Sequence, residues 1–412
     1  MKVFDVAIVG AGHAGAQAAS LLRQRGFAGT LGLFGDEPEL PYERPPLSKD
    51  YLAGEKPFER LLLRAEDFWR NHDINLLSGT RIDRVDAQAR LLYADSGECF
   101  GYGRLIWAAG GSPRRLTCPG YELAGVHYVR TRHDVDRLRA ELDRTRRVVV
   151  IGGGYIGLET AAVLQQLGRS VTLLEVENRV LARVAGESLS RFYEAEHRAR
   201  GVDVRLSTPV ESIIGEAGRV TGVALADGTL LPAEMVVVGI GIEPSVAPLA
   251  EAGVRIAAGG VLVDEYCRSS AANIFAIGDC AAHRNAHSAL DDPIRLESVQ
   301  NANDQARVVA DSLTGKPQPY TALPWFWSDQ YDLKLQTAGL SAGHDQAVVR
   351  GDPANRSFSV VYLQQGRVLA VDSVNLARDF VQAKALVQAR AVVDAEALAD
   401  VSISLRASLK PA

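Results

Sequence analysis

The sequence Lys2–Gly26, KVFDVAIVGAGHAGAQAASLLRQRG, contains the pattern that decides the fold of this chain. Val6–Val9 is a short apolar run without charge, as expected for a strand buried on both faces. Gly10, Gly12 and Gly15 follow as Gly-x-Gly-x-x-Gly, and the apolar spacing after them is helical. Strand, glycine turn and helix in this order predict a dinucleotide-binding fold, in which the turn and the helix N-terminus receive a pyrophosphate.

The next apolar run, Leu31–Phe34, predicts a second strand, and Gly35 and Asp36 follow it. An acidic residue roughly twenty positions past the glycines is where such folds bind ribose hydroxyls. Asp36 is therefore a candidate ribose ligand. The alternative is that the glycines form a purely structural turn.

The stretch Arg147–Gly168 repeats the opening pattern. Gly152, Gly154 and Gly157 are again the motif glycines, and the following strand ends at Glu175. A second copy with its full context indicates two dinucleotide sites in one chain. One site suits a flavin dinucleotide, and the other suits a nicotinamide dinucleotide.

Glu175 indicates which nicotinamide coenzyme is used. A carboxylate there accepts hydrogen bonds from both ribose hydroxyls and repels a 2′-phosphate, which favours NADH over NADPH. Two alternatives remain. Arg179 and Arg183 are close in sequence and could serve a phosphate, or Glu175 could be a solvated strand end.

Composition excludes several classes of function. The 412 residues carry a net charge of −5, which gives no global attraction to nucleic acid or membranes. No signal peptide is apparent, and we expect a cytoplasmic protein. The four cysteines lack Cys-x-x-Cys spacing, and no His cluster predicts a metal site. They are Cys99, Cys118, Cys267 and Cys280.

The predicted fold class is α/β, with two Rossmann-like dinucleotide-binding domains of glutathione-reductase type and a small α+β C-terminal domain. We expect the FAD-binding domain in segments 1–113 and 243–319, the NADH-binding domain in 114–242, and the C-terminal domain in 320–412. The stretches 76–82 and 89–95 are predicted as short strands. In the C-terminal domain, strands are predicted near 333–340, 346–350, 358–363 and 367–371, followed by two helices.

Four polar or aromatic residues stand out beyond the glycine motifs, and each has a simpler alternative. Lys49 lies in a proline-rich loop, with Ser48 or Asp50 as helix caps, and could be a solvated surface lysine. Glu159 follows the second glycine motif and could compensate a helix dipole. Asp279 follows a buried strand and could only cap the next helix. Trp327, in Trp-Phe-Trp-Ser-Asp-Gln, could be a core residue.

Five stretches together resemble the NADH-dependent, FAD-containing ferredoxin reductases of bacterial oxygenase systems. The resemblance spans nearly the whole chain in the same order, and its second and fifth elements are the most specific. The stretches are GAGHAG (10–15), RPPLSK (44–49), GGGYIGLE (152–159), IGD (277–279) and WFWSDQ (325–330). Ala108-Ala109-Gly110 departs from the usual Ala-Thr-Gly, which puts only a local hydrogen bond in doubt.

The resemblance implies FAD in the first domain, NADH in the second, and a C-terminal domain that covers the flavin and helps dock a [2Fe–2S] ferredoxin. It assigns FAD contacts to Ala14, Asp36, Lys49, Ile82, Arg130, Asp279 and Val299, with Trp327 near the flavin. Glu159 and Glu175 match nicotinamide-side positions. We also expect Gly152, Gly154, Ile156, Gly157 and Gly241 to be cofactor-binding residues. Arg307 matches a basic position at the ferredoxin interface, and we expect a monomer or weak dimer.

We hypothesise that Lys49, paired with Glu159, lies by flavin N5 and stabilises the electron-rich reduced flavin. Rival classes remain. Disulfide and peroxide reductases share the architecture but need a cysteine beside the flavin, where this loop has Leu47-Ser48-Lys49. An NADH oxidase or a quinone, rubredoxin or dehydroascorbate reductase is harder to exclude. A flavoprotein whose redox state controls assembly would be a binding protein instead.

Overall fold

A computed structural model describes residues 1–410 of the 412-residue chain. The chain divides into two compact units, and neither is continuous in sequence. The first comprises Met1–Glu43, Glu59–Ser112 and Glu243–Phe326. The second comprises Arg44–Phe58, Pro113–Ile242 and the chain from Trp327 onward.

The described residues form 26 strands and ten α-helices. The strands are β1 (Lys2–Val9), β2 (Leu31–Phe34), β3 (Ile74–Leu77), β4 (Ile82–Asp86), β5 (Leu91–Ala94), β6 (Cys99–Trp107), β7 (Gly111–Pro113), β8 (Val126–Tyr128), β9 (Arg147–Ile151), β10 (Ser170–Leu174), β11 (Asp203–Arg205), β12 (Val210–Glu216), β13 (Arg219–Leu225), β14 (Leu230–Pro232), β15 (Met235–Val238), β16 (Ile242–Pro244), β17 (Ile256–Ala257), β18 (Gly260–Leu262), β19 (Ile274–Ala276), β20 (Ala281–His283), β21 (Ile294–Arg295), β22 (Trp325–Gln330), β23 (Leu333–Gly339), β24 (Gln346–Asp352), β25 (Ser357–Gln364) and β26 (Arg367–Val374). The helices are α1 (His13–Gln24), α2 (Asp50–Ala53), α3 (Glu66–Asn71), α4 (Arg132–Leu142), α5 (Tyr155–Gln166), α6 (Glu187–Ala199), α7 (Ala247–Glu251), α8 (Val299–Leu313), α9 (Ala377–Gln388) and α10 (Ala395–Ala399).

The first unit is built on a sheet in the order β3-β2-β1-β6-β5-β4, with β19 also paired to β6. The strands β3, β2, β1, β6 and β19 run parallel to one another, whereas β5 pairs antiparallel with both β4 and β6. Helices α1 and α8 pack on one another through small side chains such as Ala18 and Ala306. The glycine turn after β1 therefore lies at the carboxyl edge of a parallel sheet, the usual ligand-binding edge.

The second unit contains a five-stranded parallel sheet in the order β11-β10-β9-β15-β8. It also contains the antiparallel sheet β12-β13-β14 and the C-terminal sheet β22-β23-β26-β25-β24. Helix α9 packs against β23 and β26. Because β15 is buried at all four residues, its run Met-Val-Val-Val is apolar throughout.

The structure confirms the predicted α/β class and the strands and helices of the C-terminal region. One predicted strand is wrong. The stretch 76–82 covers the end of β3 and the first residue of β4, with a turn between them. Gly79 adopts a φ of +66° there, and this left-handed conformation interrupts the strand. The stretch 89–95 is confirmed in its central part as β5. The four-segment domain division stays a prediction.

Candidate active site

The two glycine turns have the same backbone geometry. Gly10 and Gly152 each adopt a φ of +108°. A Cβ atom on Gly15 would lie 1.9 Å from the carbonyl oxygen of Gly10, and one on Gly157 would lie 1.9 Å from that of Gly152. Both turns therefore require glycine for the close packing of helix against strand.

The middle glycine of each turn faces open space. A Cβ atom on Gly12 would meet no atom within 4 Å, and one on Gly154 would meet only the carbonyl oxygen of Gly239 at 3.9 Å. Helices α1 and α5 begin directly after these glycines and have no side-chain cap. Each unit thus has an open cradle at a helix N-terminus, which fits a dinucleotide pyrophosphate.

The structure fixes Glu175 against the second turn. Its carboxylate accepts hydrogen bonds from the N–H groups of Gly153, at 2.6 Å, and Glu177, at 2.9 Å. A Cβ atom on Gly153 would lie 2.9 Å from Glu175 Oε2, so the glycine makes room for the acid. The carboxylate is held beside the cradle rather than free in solvent, and the solvated-end interpretation is wrong.

Arg179, the first candidate for binding a 2′-phosphate, is already engaged. Its guanidinium donates to Ser190 Oγ at 2.6 Å and to the carbonyl oxygens of Ala185 and Ala182, each at 2.8 Å. Arg183 is exposed, and its guanidinium lies near Gly241, where a Cβ atom would meet Nη2 at 3.2 Å. The Arg179 guanidinium is therefore held mainly by backbone carbonyl oxygens, whereas Arg183 is exposed.

Asp36 is exposed one residue beyond the buried Gly35. A Cβ atom on Gly35 would lie 2.8 Å from Ala11 Cβ, so a larger side chain does not fit directly at the strand end. The neighbouring Glu37 accepts a hydrogen bond from Tyr42 at 2.5 Å. Asp36 thus keeps an accessible position past the end of β2, and its role stays a prediction.

A buried hydrogen bond holds the turn that carries Asp279. The Gly278 N–H donates to Gln305 Oε1 at 2.7 Å, and Arg295 Nη1 donates to the Asp279 carbonyl oxygen at 2.8 Å. A Cβ atom on Gly278 would lie 3.2 Å from Ala14 Cβ, which brings the turn next to the start of α1. The predicted cap at Asp279 is wrong, because a single 3₁₀ turn followed by β20 replaces the expected helix.

Three further predicted FAD contacts lie in different settings. Val299 is the first residue of α8, which Ser298 caps by accepting from the Asn301 N–H at 3.1 Å. Ile82 is buried in the core of the first unit. Arg130, in the second unit, precedes α4, and its carbonyl oxygen accepts from the Arg44 guanidinium at 2.7 Å. Their cofactor roles stay predictions.

The second unit brings Lys49 and Glu159 together. Lys49 Nζ lies 2.6 Å from Glu159 Oε2, with 15% of the lysine side chain and 2% of the glutamate side chain exposed. The same oxygen accepts from Ser48 Oγ at 2.6 Å, and Glu159 Oε1 accepts from Ser328 Oγ at 2.6 Å. One cation and two hydroxyls therefore satisfy a buried carboxylate, as such a charge requires.

This geometry corrects the simpler interpretations of the site. Lys49 is not a solvated lysine, and Glu159, the fifth residue of α5, is too buried and too well bonded for simple dipole compensation. Ser48 and Asp50 are not helix caps, because the residue preceding α2 is Lys49 and no side-chain cap forms. Sequence reasoning missed Ser328, although its place in the Trp-Phe-Trp-Ser-Asp-Gln motif was a usable signal.

The remaining predicted residues are exposed or half-buried. Ile156, in the first turn of α5, is 43% exposed. Trp327 is half-buried in β22. Arg307 is half-exposed on α8 and forms an ion pair with Asp304 at 2.6 Å.

A second buried carboxyl, Asp372 on β26, lies in a cluster of tyrosines in the same unit. The Tyr362 hydroxyl donates to it at 2.6 Å and accepts from the Gly186 N–H at 3.1 Å. Burial raises the pKa of Asp372 to about 7, opposed by the Tyr362 hydrogen bond. Burial, reinforced by the charge of Asp372, also raises the pKa of Tyr155 and of Tyr193.

Burial disfavours the thiolate form at three of the four cysteines. All four are free, and Cys267 and Cys280 are buried. Burial raises the pKa of Cys280 to about 12 and raises the pKa of Cys267 and Cys118 as well. A reactive cysteine needs a lowered pKa. Within residues 1–410, no group of three or more His, Cys, Asp or Glu side chains is placed to bind a metal ion.

Two dinucleotide cradles and a buried lysine–carboxylate pair define a two-nucleotide redox protein. A model of the pyridine nucleotide-disulphide oxidoreductase family matches residues 4–306, and a reductase C-terminal model matches residues 325–409. The chain belongs to the pyridine nucleotide-disulphide oxidoreductase family. None of the helices formed by residues 1–410 has the length and apolar character that a membrane crossing requires.

Relatives of known function cover nearly the whole chain. A ferredoxin–NAD(P)(+) reductase of a Sphingomonas species is 58% identical over 383 residues, which are 93% of this chain and 92% of the relative. The crystal structure of a covalent putidaredoxin reductase–putidaredoxin complex matches with a TM-score of 0.93 and 41% identity, covering 97% of each chain. A rubredoxin-NAD(+) reductase of Pseudomonas putida is 39% identical, covering 90% of this chain and 96% of the relative.

Proposed function

We propose that this protein transfers electrons from NADH, through FAD, to a [2Fe–2S] ferredoxin that supplies an oxygenase. Its relatives include a ferredoxin reductase and a reductase solved in a covalent complex with its iron–sulfur partner. The observation that carries the proposal is the buried Lys49–Glu159 pair, in a chain with two open dinucleotide cradles. Disulfide reductases of this architecture need a reactive cysteine beside the flavin, and the loop that carries Lys49 reads Leu47-Ser48-Lys49 instead.

The residues present fit both cofactors. The turn Gly10–Gly15, with Asp36 and Asp279, would hold FAD, and the turn Gly152–Gly157, with Glu175, would hold NADH. When bound, FAD accepts a hydride from the nicotinamide and releases electrons singly to a one-electron carrier. No side-chain nucleophile is needed, so the protein contributes position and charge.

Lys49 supplies the charge in this proposal. Glu159, whose carboxylate accepts from two serine hydroxyls, holds the Lys49 ammonium in a fixed, largely buried position, where a charge acts more strongly than in water. We expect Lys49→Met to slow hydride transfer by on the order of tenfold or more and to make the flavin potential more negative. Stopped-flow reduction and a redox titration measure the two effects.

The matched control for this variant is Lys316→Met, since Lys316 is an exposed lysine outside the site. It should change neither quantity. If Lys49→Met also leaves both the rate and the potential unchanged, Lys49 does not have this role.

Arg307 is the proposed docking contact for an acidic ferredoxin. Because the whole chain is negative, docking depends on a local positive patch. Arg307→Glu should weaken ferredoxin reduction and spare NADH–ferricyanide turnover, measured side by side. Arg70 offers a matched control, because it also forms an ion pair with an aspartate three residues earlier on a helix. Equal loss in both assays, or equal loss in Arg70→Glu, would refute docking at Arg307.

The second candidate is a rubredoxin reductase, because one relative of that activity is 39% identical over most of the chain. The electron acceptor is identified by measuring NADH–cytochrome c activity with no carrier, with a [2Fe–2S] ferredoxin, and with a rubredoxin. Dependence on the ferredoxin supports the proposal. A preference for rubredoxin, or rapid direct turnover with oxygen or quinone, supports the alternatives.

We further propose a cytoplasmic location and a monomeric or weakly dimeric state. Sedimentation velocity over a range of protein concentrations tests the second point. A dimer that persists at nanomolar concentration would contradict it.

A further inference from the structure

A continuous series of hydrogen bonds extends from Glu159 into the second unit. Ser328 donates to Glu159, and Gln330 Nε2 donates to Ser328 Oγ at 3.2 Å. Gln330 Oε1 lies 2.9 Å from His197 Nε2, and His197 Nδ1 lies 3.2 Å from the Tyr331 hydroxyl. Beyond Glu159 the series thus comprises four residues, Ser328, Gln330, His197 and Tyr331, and Tyr331 is its end.

The acceptors in this series fix the direction of every bond. Gln330 Oε1 can only accept, so His197 Nε2 carries the proton and donates to it. In the neutral ring Nδ1 is then the acceptor, and Tyr331 donates to it. Each donor therefore points along the series toward Glu159. Hydrogen bonds aligned in this way strengthen one another in a low-dielectric interior.

The series is buried at a place where apolar side chains would otherwise fit. His197 and Ser328 are fully buried, and Gln330 is 1% exposed. Burial lowers the pKa of His197 to about 4, so the ring stays neutral at neutral pH. Buried polar groups of this kind lower stability unless all are bonded, and each of these is. The Lys49–Glu159 pair does not itself require the residues beyond Ser328.

We propose that Ser328, Gln330 and His197 are positioning residues that hold the Glu159 carboxylate, and through it the Lys49 ammonium, in the orientation that hydride transfer uses. The inference rests on the proposed function of the Lys49–Glu159 pair. The series orients and does not conduct protons, because the amide of Gln330 is not an acid–base group. The series reaches Glu159 through the hydrogen bond that Ser328 donates to its carboxylate. Ser328, Gln330 and His197 therefore act through that carboxylate and need not touch substrate or cofactor.

The first test compares two buried serines in the FAD-loaded enzyme. Ser328→Ala removes the donor to Glu159, and Ser359→Ala removes one partner of the buried Ser359–Ser373 hydroxyl pair, 2.8 Å apart. Ser328→Ala should slow hydride transfer at saturating NADH about tenfold, with little change in the NADH Kd. Ser359→Ala should change neither. Equal rates in the two variants would overturn the proposal.

A double-mutant cycle distinguishes the positioning role of Ser328 from the proposed role of the Lys49–Glu159 pair in hydride transfer. On a Glu159→Ala background, Ser328→Ala should slow hydride transfer less than twofold further, because the group that it positions is gone. A full tenfold additional loss overturns the positioning role. If Glu159→Ala alone leaves the rate unchanged, the proposed role of the Lys49–Glu159 pair fails instead.

The third test reads the series without turnover. Nitrogen-15 NMR of histidine-labelled protein should show His197 as the neutral Nε2–H tautomer from pH 6 to pH 9, with the signal assigned by its loss in His197→Asn. Gln330→Glu offers only acceptors once ionised. It should keep the proton on His197 Nε2 and remove the hydrogen bond that Gln330 Nε2 donates to Ser328 Oγ. An Nδ1–H tautomer, or protonation of His197 near pH 6.5, would contradict the bond directions.

Discussion

The two glycine turns have the same backbone conformation. They differ in whether the turn or the end of the neighbouring strand carries a side chain. In the first copy, Ala11 carries a Cβ in the turn, and the strand ends at the bare Gly35. In the second copy, the turn residue is the bare Gly153, and the strand ends at Glu175. Gly10 and Gly152 donate equivalent bonds, at 2.8 Å, to the last residue of the neighbouring strand, so the copies align residue by residue.

The space between turn and strand end admits one side chain, and each copy fills it from the opposite side. A Cβ on Gly35 would meet Ala11, and a Cβ on Gly153 would meet Glu175. The second copy thus presents a carboxylate directly at its cradle, whereas the first displaces its acid to Asp36. The glycines define a dinucleotide fold, and we propose that the side chain at the strand end selects the dinucleotide.

The largest expected effect comes from the same substitution in both copies. Gly15→Ala and Gly157→Ala each put a Cβ 1.9 Å from a carbonyl oxygen. Gly15→Ala should weaken FAD binding roughly a hundredfold, because the first helix must move from its strand. Gly157→Ala should retain FAD and lose reduction by NADH. Flavin absorbance after gel filtration and stopped-flow reduction measure the two.

Dithionite is the control for the Gly157→Ala variant, since it should reduce the retained flavin normally. If Gly157→Ala loses FAD as completely as Gly15→Ala does, the assignment of FAD to the first copy and NADH to the second is contradicted.

The next effect concerns a buried acid found beside the second copy. Asp372 binds its proton more tightly in the folded state, with a pKa near 7 against an ordinary 3.8, so its contribution to stability is fully present below pH 4 and is lost as pH rises toward 7. The slope is at most about 1.4 kcal/mol per pH unit. Tyr362, Tyr155 and Tyr193 are the titratable groups facing it, and all stay neutral in this window.

Asp372→Asn mimics the protonated acid and accepts the same Tyr362 hydrogen bond. Its Tm relative to the unmodified protein should therefore increase from pH 4 to pH 7 in thermal unfolding and level off above pH 7. The exposed Asp345→Asn should give a difference independent of pH. A constant difference for Asp372→Asn would mean that the carboxyl is ionised throughout.

The smallest effect tests the strand-end side chains. Glu175→Ala removes the carboxylate that we propose accepts from the ribose hydroxyls, so NADH should bind about tenfold more weakly and discrimination against NADPH should decrease. Asp36→Ala should leave the NADH-to-NADPH ratio of kcat/KM unchanged. If Asp36→Ala shifts that ratio and Glu175→Ala does not, then Asp36 rather than Glu175 sets the coenzyme preference, and the two copies have the opposite roles.

The sequence predicted what depends on local backbone constraints. The glycine turns, the parallel strands and Glu175 follow from spacing over some thirty residues or fewer, as in a single βαβ unit. The Lys49–Glu159 pair came from the family resemblance, since its partners are 110 residues apart.

What depends on distant partners was missed. Ser48 was expected to cap a helix, but its hydroxyl finds Glu159, 111 residues away. Ser328 reaches the same carboxylate across 169 residues, and His197 meets Gln330 across 133. A single serine or histidine carries no periodic signal for such a contact. The one local signal was the two-residue spacing of Ser328 and Gln330 along β22, which places both side chains on the same face of the strand.

The pairing of β19 with β6 has a consequence for how the cell makes this protein. Strand β6 ends at Trp107, and its partner begins at Ile274. A ribosome needs on the order of ten seconds or more to synthesise the roughly 170 residues between them. Until then, the nascent first sheet has an open edge at β6, and Lys49 has been synthesised long before Ser328. Translation speed through this interval, and chaperones that cover the edge, should therefore govern the yield of active protein.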